Sequence, residues 1–214
     1  MVVSGPPACY FVPMSTALHQ PKVREITPED WELVRLLFGD RGACGGCWCM
    51  HWRREKGGQA WEKAKGEPNR RAFKKLIESG QALGMIALDG DRPIGWCSFG
   101  LRSEFPRLDR TKAYTLADDD VGMATDIWSV NCLFLDKEVR GQGVSQELVA
   151  GAVKAIRKRG GKIIEAYPTT LTSDGKKLPA AFSYTGPEII YQRLGFKEVQ
   201  RLAQSRPMYR LELR

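Results

Sequence analysis

The stretch Leu133–Ser145, LFLDKEVRGQGVS, constrains the fold of this 214-residue chain more than any other. The apolar run IWSVNCLFL that leads into it reads as a strand, and it ends in a tight basic-glycine turn, Arg140-Gly141-Gln142-Gly143-Val144-Ser145. Beyond the turn, Leu148, Val149, Ala152, Val153 and Ile156 recur at helical spacing. Lys154, Arg157, Lys158 and Arg159 fall mostly on the opposite side, and Gly160-Gly161 stops the helix. A strand that feeds a glycine turn into a helix N-terminus is a physical device for holding phosphate. The glycines let backbone amides approach the anion, the first unpaired N–H groups of the helix point at it, and the helix dipole favours it. Arg140 adds a forked cation. An ordinary strand-to-helix turn with a solvated arginine has the same pattern, and glycine spacing alone leaves both readings open.

The flanking sequence places this unit in a larger alternation. Val23–Ile26 can form a short strand, and Thr27-Pro28-Glu29-Asp30 is a strong helix start: Thr27 caps, Pro28 takes the first helical position and Asp30 completes a capping-box pattern. Trp31, Val34, Leu37 and Phe38 continue as a helical stripe. The glycine- and cysteine-rich segment Gly39–His51 interrupts it, and Glu67-Pro68 opens a second helix that carries Phe73, Leu76 and Ile77. ALGMIALDG and RPIGWCSFGL read as two strands turning at Asp89-Gly90-Asp91. Residues 103–122 are polar and irregular, with the acidic run Asp118-Asp119-Asp120. GKIIEAY is a further strand, EIIYQRL a short helix opened by Pro187, and FKEVQRLA and PMYRLEL two closing strands. The order β-α-α-β-β-β-α-β-α-β-β describes an α/β (α+β mixed-sheet) fold, a central, mostly antiparallel sheet flanked by helices. The β-α-β unit around the glycine turn is expected to be a right-handed parallel crossover. Residues 1–21, laced with Pro and Gly and without periodicity, read as a partly flexible N-terminal extension, and 22–214 as the folded domain.

A net charge of +8 calls for an acidic partner, and a phosphorylated cofactor, RNA or an anionic surface would each serve. The basic residues are scattered, with short clusters only, and no nucleic-acid-binding module accompanies them. No apolar run approaches the ~20 residues that a membrane helix needs. No Lys, Arg, Asp or Glu precedes Lys22, and Pro6, Pro7 and Pro13 break the apolar N-terminus, which makes a poor signal peptide. Cys44, Cys47 and Cys49 crowd into one segment while Cys9, Cys97 and Cys132 stand apart, which is not the spacing of a disulfide scaffold. These features point to a cytoplasmic protein with reduced thiols, no nucleic-acid or membrane partner, and a homodimer left open.

The motifs resemble those of the GNAT N-acetyltransferase superfamily. Arg140-Gly141-Gln142-Gly143-Val144-Ser145 is similar to the family's Arg/Gln-x-x-Gly-x-Gly/Ala, with serine at the last small position; Tyr191-Gln192-Arg193-Leu194-Gly195-Phe196 looks like its Tyr-x-x-x-Gly-Phe; and Val23–Asp30 is similar to its first strand and helix. The CGGCWCMHWR segment, WSV before the turn and EAYP after it look like a little-characterised bacterial subgroup. The resemblance implies a GNAT-like fold over roughly residues 22–214 and acetyl-CoA as cofactor. It implies that the amides of Gln142, Gly143, Val144 and Ser145 hold the pyrophosphate, that Arg140 and Gly141 shape the turn, and that the backbone of Leu133, Phe134 and Leu135 pairs with the pantetheine arm like an added strand. Such pairing needs this strand to splay from its parallel neighbour, often through a bulge. Arg193 and Lys154 are candidates for the outer phosphate of CoA. Tyr191 matches the family tyrosine that can protonate the CoA sulfur. An asparagine frequent seven residues before it is replaced here by Tyr184, with Ser183 or Thr185 able to take over its contact. Glu165 and Asp126 are candidate bases for the amine proton.

The activity implied is transfer of an acetyl group from acetyl-CoA to a primary amine of a small molecule or a protein. In the GNAT layout the Gly39–His51 segment lies where acceptor-site walls are commonly built, so Trp48, Met50 and Trp52 are expected to line the acceptor pocket. A non-catalytic CoA-binding sensor is the alternative. A zinc module built on Cys44-x-x-Cys47-x-Cys49-x-His51 is a weaker one, because zinc sites usually draw on two separated knuckles and no second CxxC occurs. No metal is assigned.

Overall fold

The computed structural model describes residues 21–55, 57–116, 126–171, 175–176, 179 and 182–213. Most of the expected N-terminal extension, and the acidic run Asp118–Asp120, lie outside these residues. Seven strands form one sheet in the order β1-β2-β3-β4-β5-β7-β6: β1 Lys22–Glu25, β2 Leu83–Asp89, β3 Arg92–Leu101, β4 Ile127–Leu135, β5 Ile163–Ala166, β6 Lys197–Gln200 and β7 Met208–Glu212. Every neighbouring pair is antiparallel except β4 and β5, which are joined by the crossover helix α4, Val144–Lys158. The mixed, mostly antiparallel sheet and its flanking helices are those expected from the sequence.

The local causes are legible. The Thr27 amide donates to the Asp30 carboxylate (2.7 Å), which Arg24 grips with both guanidinium nitrogens (2.6 Å each), so β1 is tied to the start of α1, Trp31–Phe38. A single 3-10 turn, Pro28–Asp30, intervenes. The helix α2, Gly58–Ala64, has no counterpart in the expected order; α3, Glu67–Glu78, follows it with Pro68 in its first turn. α5 is Glu188–Arg193.

The sheet is covered on both faces. On one, Val144, Leu148, Val149, Ala152, Val153 and Ile156 of α4 bury against Met85, Ile94, Cys97, Val130 and Ile164. Each such side chain contributes about 2 kcal/mol on leaving water, so packing, not helix propensity, holds α4 in place. On the other, Trp31, Val34 and Phe38 of α1 and Phe73 and Ile77 of α3 pack on Ile86, Leu88 and Trp96. The Gly39–His51 segment joins this second layer through Trp48, whose ring lies 5.7 Å from Trp31 and 5.8 Å from Phe38. A third cluster, Trp52, Phe105, Leu108, Tyr114, Tyr167 and Met208, closes the end of the sheet where β4 and β5 part.

Candidate active site

β4 and β5 are paired only from Ile127 to Val130 on β4, opposite Ile163 to Ala166. Beyond Val130 the strands diverge. The divergence coincides with a bulge: Phe99 of β3 faces Val130 and Ser98 faces Cys132, so Asn131 is the extra residue. Its carbonyl accepts a hydrogen bond from the Trp52 indole at 2.9 Å, which fixes Trp52 over the opening. Past the bulge, the Leu133 amide points into the gap and donates to the Tyr184 carbonyl at 2.5 Å. Alternation along a strand then turns the backbone of Phe134 toward β3 and that of Leu135 back to the gap. There the Leu135 carbonyl accepts from Arg140 Nη2 at 3.2 Å.

The turn that follows has the shape of an anion cradle. Gly143 caps α4 in the left-handed region (φ 84°, ψ −11°), a conformation that glycine adopts at no steric cost. A Cβ placed on it would meet no protein atom within 4 Å, so the space above the turn is open. The first-turn amides at Val144 and Ser145 have no intrahelical carbonyl to bond, and the dipole of a 15-residue helix lies behind them. The Gln142 amide differs: it donates within the turn to the Val139 carbonyl at 3.4 Å.

Two cavities meet at this place. One, of about 410 Å³, runs from Arg140, Gly141 and Ser145 along Leu133–Leu135 to Ser183, Gly186 and Pro187. The other, of about 310 Å³, is walled by aromatic rings and thiols, among them Trp52, Trp61, Phe182, Tyr184, Cys49 and Cys132, with His51 and Lys65 as its nitrogen bases. Leu133, Phe134, Tyr184, Ala43 and Cys44 line both. The groove that starts at the cradle thus opens into a largely apolar chamber.

Within the chamber His51 is packed edge-on by Trp52 (4.7 Å between centroids), Trp61 (5.3 Å) and Tyr184 (5.5 Å), and its Nε2 lies 3.4 Å from the Tyr184 hydroxyl. Burial, and then the charges of Arg107, Arg206 and Lys65, lower the imidazole pKa to about 4, so the ring is neutral at physiological pH. The Cys49 thiol is lowered to about 7 by its hydrogen bond with Cys132, by Arg53 and by the Trp96 indole N–H 3.3 Å away. Cys132 itself is pushed up by the same interaction. Burial raises Cys47 to about 12, so it stays a thiol. Ala43, Trp48 and Cys49 hold positive φ values (65°, 45° and 56°), backbone strain that the packing of Trp48 and the Trp96–Cys49 contact sustain. Among the described residues, no group of three or more His, Cys, Asp or Glu side chains is gathered to hold a metal ion.

Comparison with known proteins agrees with this geometry. The sequence profile described as the Acetyltransferase (GNAT) family matches residues 48–175, from the cysteine segment through the glycine turn and β5. The chain belongs to the GNAT acetyltransferase family. Acetyltransferases of this family use acetyl-CoA, and the open glycine turn, the first-turn amides and the splayed strand edge fit its pyrophosphate and its amide-bearing arm. Among solved structures, this GNAT chain is similar to the PaiA N-acetyltransferase of Thermoplasma acidophilum in complex with coenzyme A (16% identity, TM-score 0.52, covering 91% of this chain and 100% of that one). It is similar to an N-acetyltransferase of Staphylococcus aureus Mu50 (12%, 0.52, 92% and 100%) and to a ribosomal-protein-alanine N-acetyltransferase of Brucella melitensis (12%, 0.51, 90% and 99%). Identities this low establish the shared fold alone. No curated protein matches the chain by sequence.

The GNAT site gathers some of the expected residues and not others. Leu133, Phe134, Leu135, Arg140, Gly141 and Ser145 line the groove; Phe134 does so with its side chain, since its backbone faces β3. Of the three residues offered for the acceptor wall, Trp52 lines the chamber. Trp48 is buried between α1 and α3, where its aromatic contacts are satisfied, and Met50 faces a separate groove with Arg53 and Leu76. Glu165 is wholly buried: Arg102 holds one oxygen (2.5 Å), Arg210 the other (2.8 Å), and the Tyr167 hydroxyl donates to the first at 2.9 Å. A carboxylate bound on both oxygens inside the protein has no route to an acceptor amine. Asp126 is exposed beside the far end of β4. Tyr191 is buried and donates its hydroxyl to the Thr185 carbonyl at 2.7 Å, directly behind Gly186 of the groove wall. Lys154 borders a cleft against β1, nearly three turns along α4 from the cradle, and Arg193 is exposed on α5. Trp61 and Cys132 are not among the expected site residues, His51 enters the sequence reading only as a zinc ligand and Tyr184 only in place of a family asparagine; no spacing in the sequence links His51 to Tyr184, 133 positions away.

Proposed function

We propose that this chain transfers the acetyl group of acetyl-CoA to a primary amine. The observation that carries this reading is the junction at Leu133, Phe134 and Tyr184, where the groove leading from the anion cradle opens into the chamber. A protein that only sensed CoA would need the groove and not the chamber. Bound acetyl-CoA supplies an activated thioester, so that transfer forms one C–N bond, breaks one C–S bond and moves one proton from the amine to the departing sulfur.

In this reading the residues of the chain divide the work. Gly143, Val144 and Ser145 hold the pyrophosphate with backbone amides, and Gly141 and Arg140 shape and close the turn. Leu133 and Leu135 present the edge on which the pantetheine arm aligns; the Leu133 amide is taken by the Tyr184 carbonyl, so it polarises an acetyl carbonyl at the junction only by exchanging that bond. Tyr191 stands as the candidate acid on its motif: burial keeps its hydroxyl protonated, but the proton is donated to the Thr185 carbonyl behind Gly186, so delivering it to the sulfur requires that bond to be exchanged. Glu165 is left as a structural anion.

The test is a panel of primary amines with acetyl-CoA, read as release of free CoA thiol alongside thermal stabilisation by the cofactor. Stabilisation with thiol release from at least one amine supports the transferase. Stabilisation with no release across the panel identifies a sensor.

A further inference from the structure

The chamber also constrains its guest. Among the described residues that line it, none is Asp or Glu. Its walls are Trp52, Trp61, Phe182 and Tyr184, and cations sit on the outer faces of two of these rings: Arg107 stacks on Trp61 (5.5 Å) and Arg206 on Tyr184 (5.7 Å). Lys65 stands on the rim. A ring nitrogen at the centre, His51, is neutral in this setting. An ammonium ion brought to the same place would lose part of its water, meet no carboxylate among the described lining residues and face the charges of Arg107 and Arg206, while the Lys65 ammonium is already paired with Glu62 at 2.8 Å. A lysine side chain or a diamine is almost wholly charged at neutral pH, since an alkyl ammonium titrates near 10.4. A flat amine whose lone pair is delocalised into its ring is uncharged there and stacks on the walls.

Resting on the acetyltransferase reading above, we propose that the acceptor is an arylamine, a weakly basic aromatic amine that enters the chamber uncharged and lies against its aromatic wall. Cationic acceptors, whether diamines or protein lysines, are disfavoured by the lack of a carboxylate among the described lining residues and by Arg107 and Arg206 behind the walls. The cavity, about 310 Å³, admits a one- or two-ring amine. His51 and Tyr184 sit where the polar edge of such a molecule would lie, the neutral imidazole serving as hydrogen-bond partner to its N–H. The charged and titratable groups that bear on the amine are then His51, Tyr184, Lys65 with its partner Glu62, Arg107 and Arg206, and the thiols of Cys44, Cys47, Cys49 and Cys132.

The experiment compares p-toluidine, phenethylamine and cadaverine as acceptors with the full chain and acetyl-CoA. Each amine is also titrated in the presence of CoA against intrinsic tryptophan fluorescence, since Trp52 and Trp61 line the chamber. The proposal expects kcat/KM for p-toluidine at pH 7 to exceed the other two at least tenfold and to stay flat from pH 6.5 to 9. The value for phenethylamine should rise about tenfold per pH unit as its neutral fraction grows. p-Toluidine should quench the fluorescence and cadaverine should not. Lys65→Glu, which puts a carboxylate at the rim, should move the cadaverine to p-toluidine ratio at least threefold toward cadaverine. Preference for cadaverine, no turnover of p-toluidine while acetyl-CoA still stabilises the protein, or a ratio unmoved by Lys65→Glu each overturns the arylamine proposal and leaves cofactor binding standing. Absence of stabilisation by acetyl-CoA overturns the acetyltransferase reading itself, and the proposal with it.

Discussion

His51 shows how a site residue acquires its properties from neighbours that are remote in the chain. Three aromatic rings dehydrate it, and Arg107, Arg206 and Lys65 repel a proton from it. Because its folded pKa of about 4 lies below the ordinary 6.5, the unfolded chain binds its proton first as the pH falls. The contribution of His51 to stability is therefore intact above pH 6.5, declines between 6.5 and 4, and levels off below, by at most about 3 kcal/mol in all. Urea midpoints measured across that range should fall for the parent chain, and His51→Gln should flatten the fall. Tyr191 offers a second test at this scale. Tyr191→Phe removes one buried hydrogen bond, a cost of about 1 kcal/mol, and should lower turnover at least tenfold while changing acetyl-CoA affinity less than threefold. Equal turnover in the two proteins would remove Tyr191 from the chemistry and leave it as the anchor of Thr185.

Among elements, the separation of β4 from β5 governs the site. The Asn131 bulge ends the ladder, and next to the third cluster Glu165, opposite Ser129 in the last paired stretch, gathers Arg102, Arg210 and Tyr167. Glu165 neutralises two arginines there, one of them 1% exposed. Glu165→Gln should cost about 1–3 kcal/mol in unfolding free energy, because it removes the charge from buried hydrogen bonds to Arg102 and Arg210 while Arg102 keeps Asp109; chemical denaturation checks this, and an unchanged midpoint would mean that water reaches these groups. At the start of α4, Gly143→Val should behave oppositely. Its strain costs about 1–2 kcal/mol in the left-handed region, yet the branched side chain enters the open cradle, so acetyl-CoA affinity should fall at least tenfold by isothermal titration.

For the whole molecule, the cofactor's groove joins parts distant in sequence: the glycine turn, the β4 edge and the 183–187 loop. A ligand that binds this folded arrangement stabilises it by mass action, about 2.7 kcal/mol at a hundredfold excess over Kd. For a chain of this size that corresponds to a rise in Tm of about 5–10 °C, measurable with acetyl-CoA in a thermal melt. Among the described residues, no helix is long and apolar enough to cross a membrane.

What the sequence determined by itself is what short-range physics writes into neighbouring residues. The period-3.6 stripe of α4, the Asp89–Asp91 hairpin, the Thr27–Asp30 start and the glycine turn are patterns within a dozen positions, and each stands in the structure where the pattern put it. The three segments Val23–Asp30, Arg140–Ser145 and Tyr191–Phe196, in their order, were enough to indicate the family. The helix Gly58–Ala64 escaped notice because Gly57-Gly58 reads as a breaker and its apolar stripe is Trp61 and Ala64 alone. The chamber was decided only by tertiary structure. Trp48 and Trp52 are four residues apart and chemically alike, yet the fold buries one in the core and hangs the other over the gap. Glu165 lies on the expected strand but meets two arginines 63 and 45 positions away. Whether an acidic residue is a base or a buried counter-ion, and whether a histidine is charged, depends on the solvent and the charges around it, and those are assembled only when the chain folds.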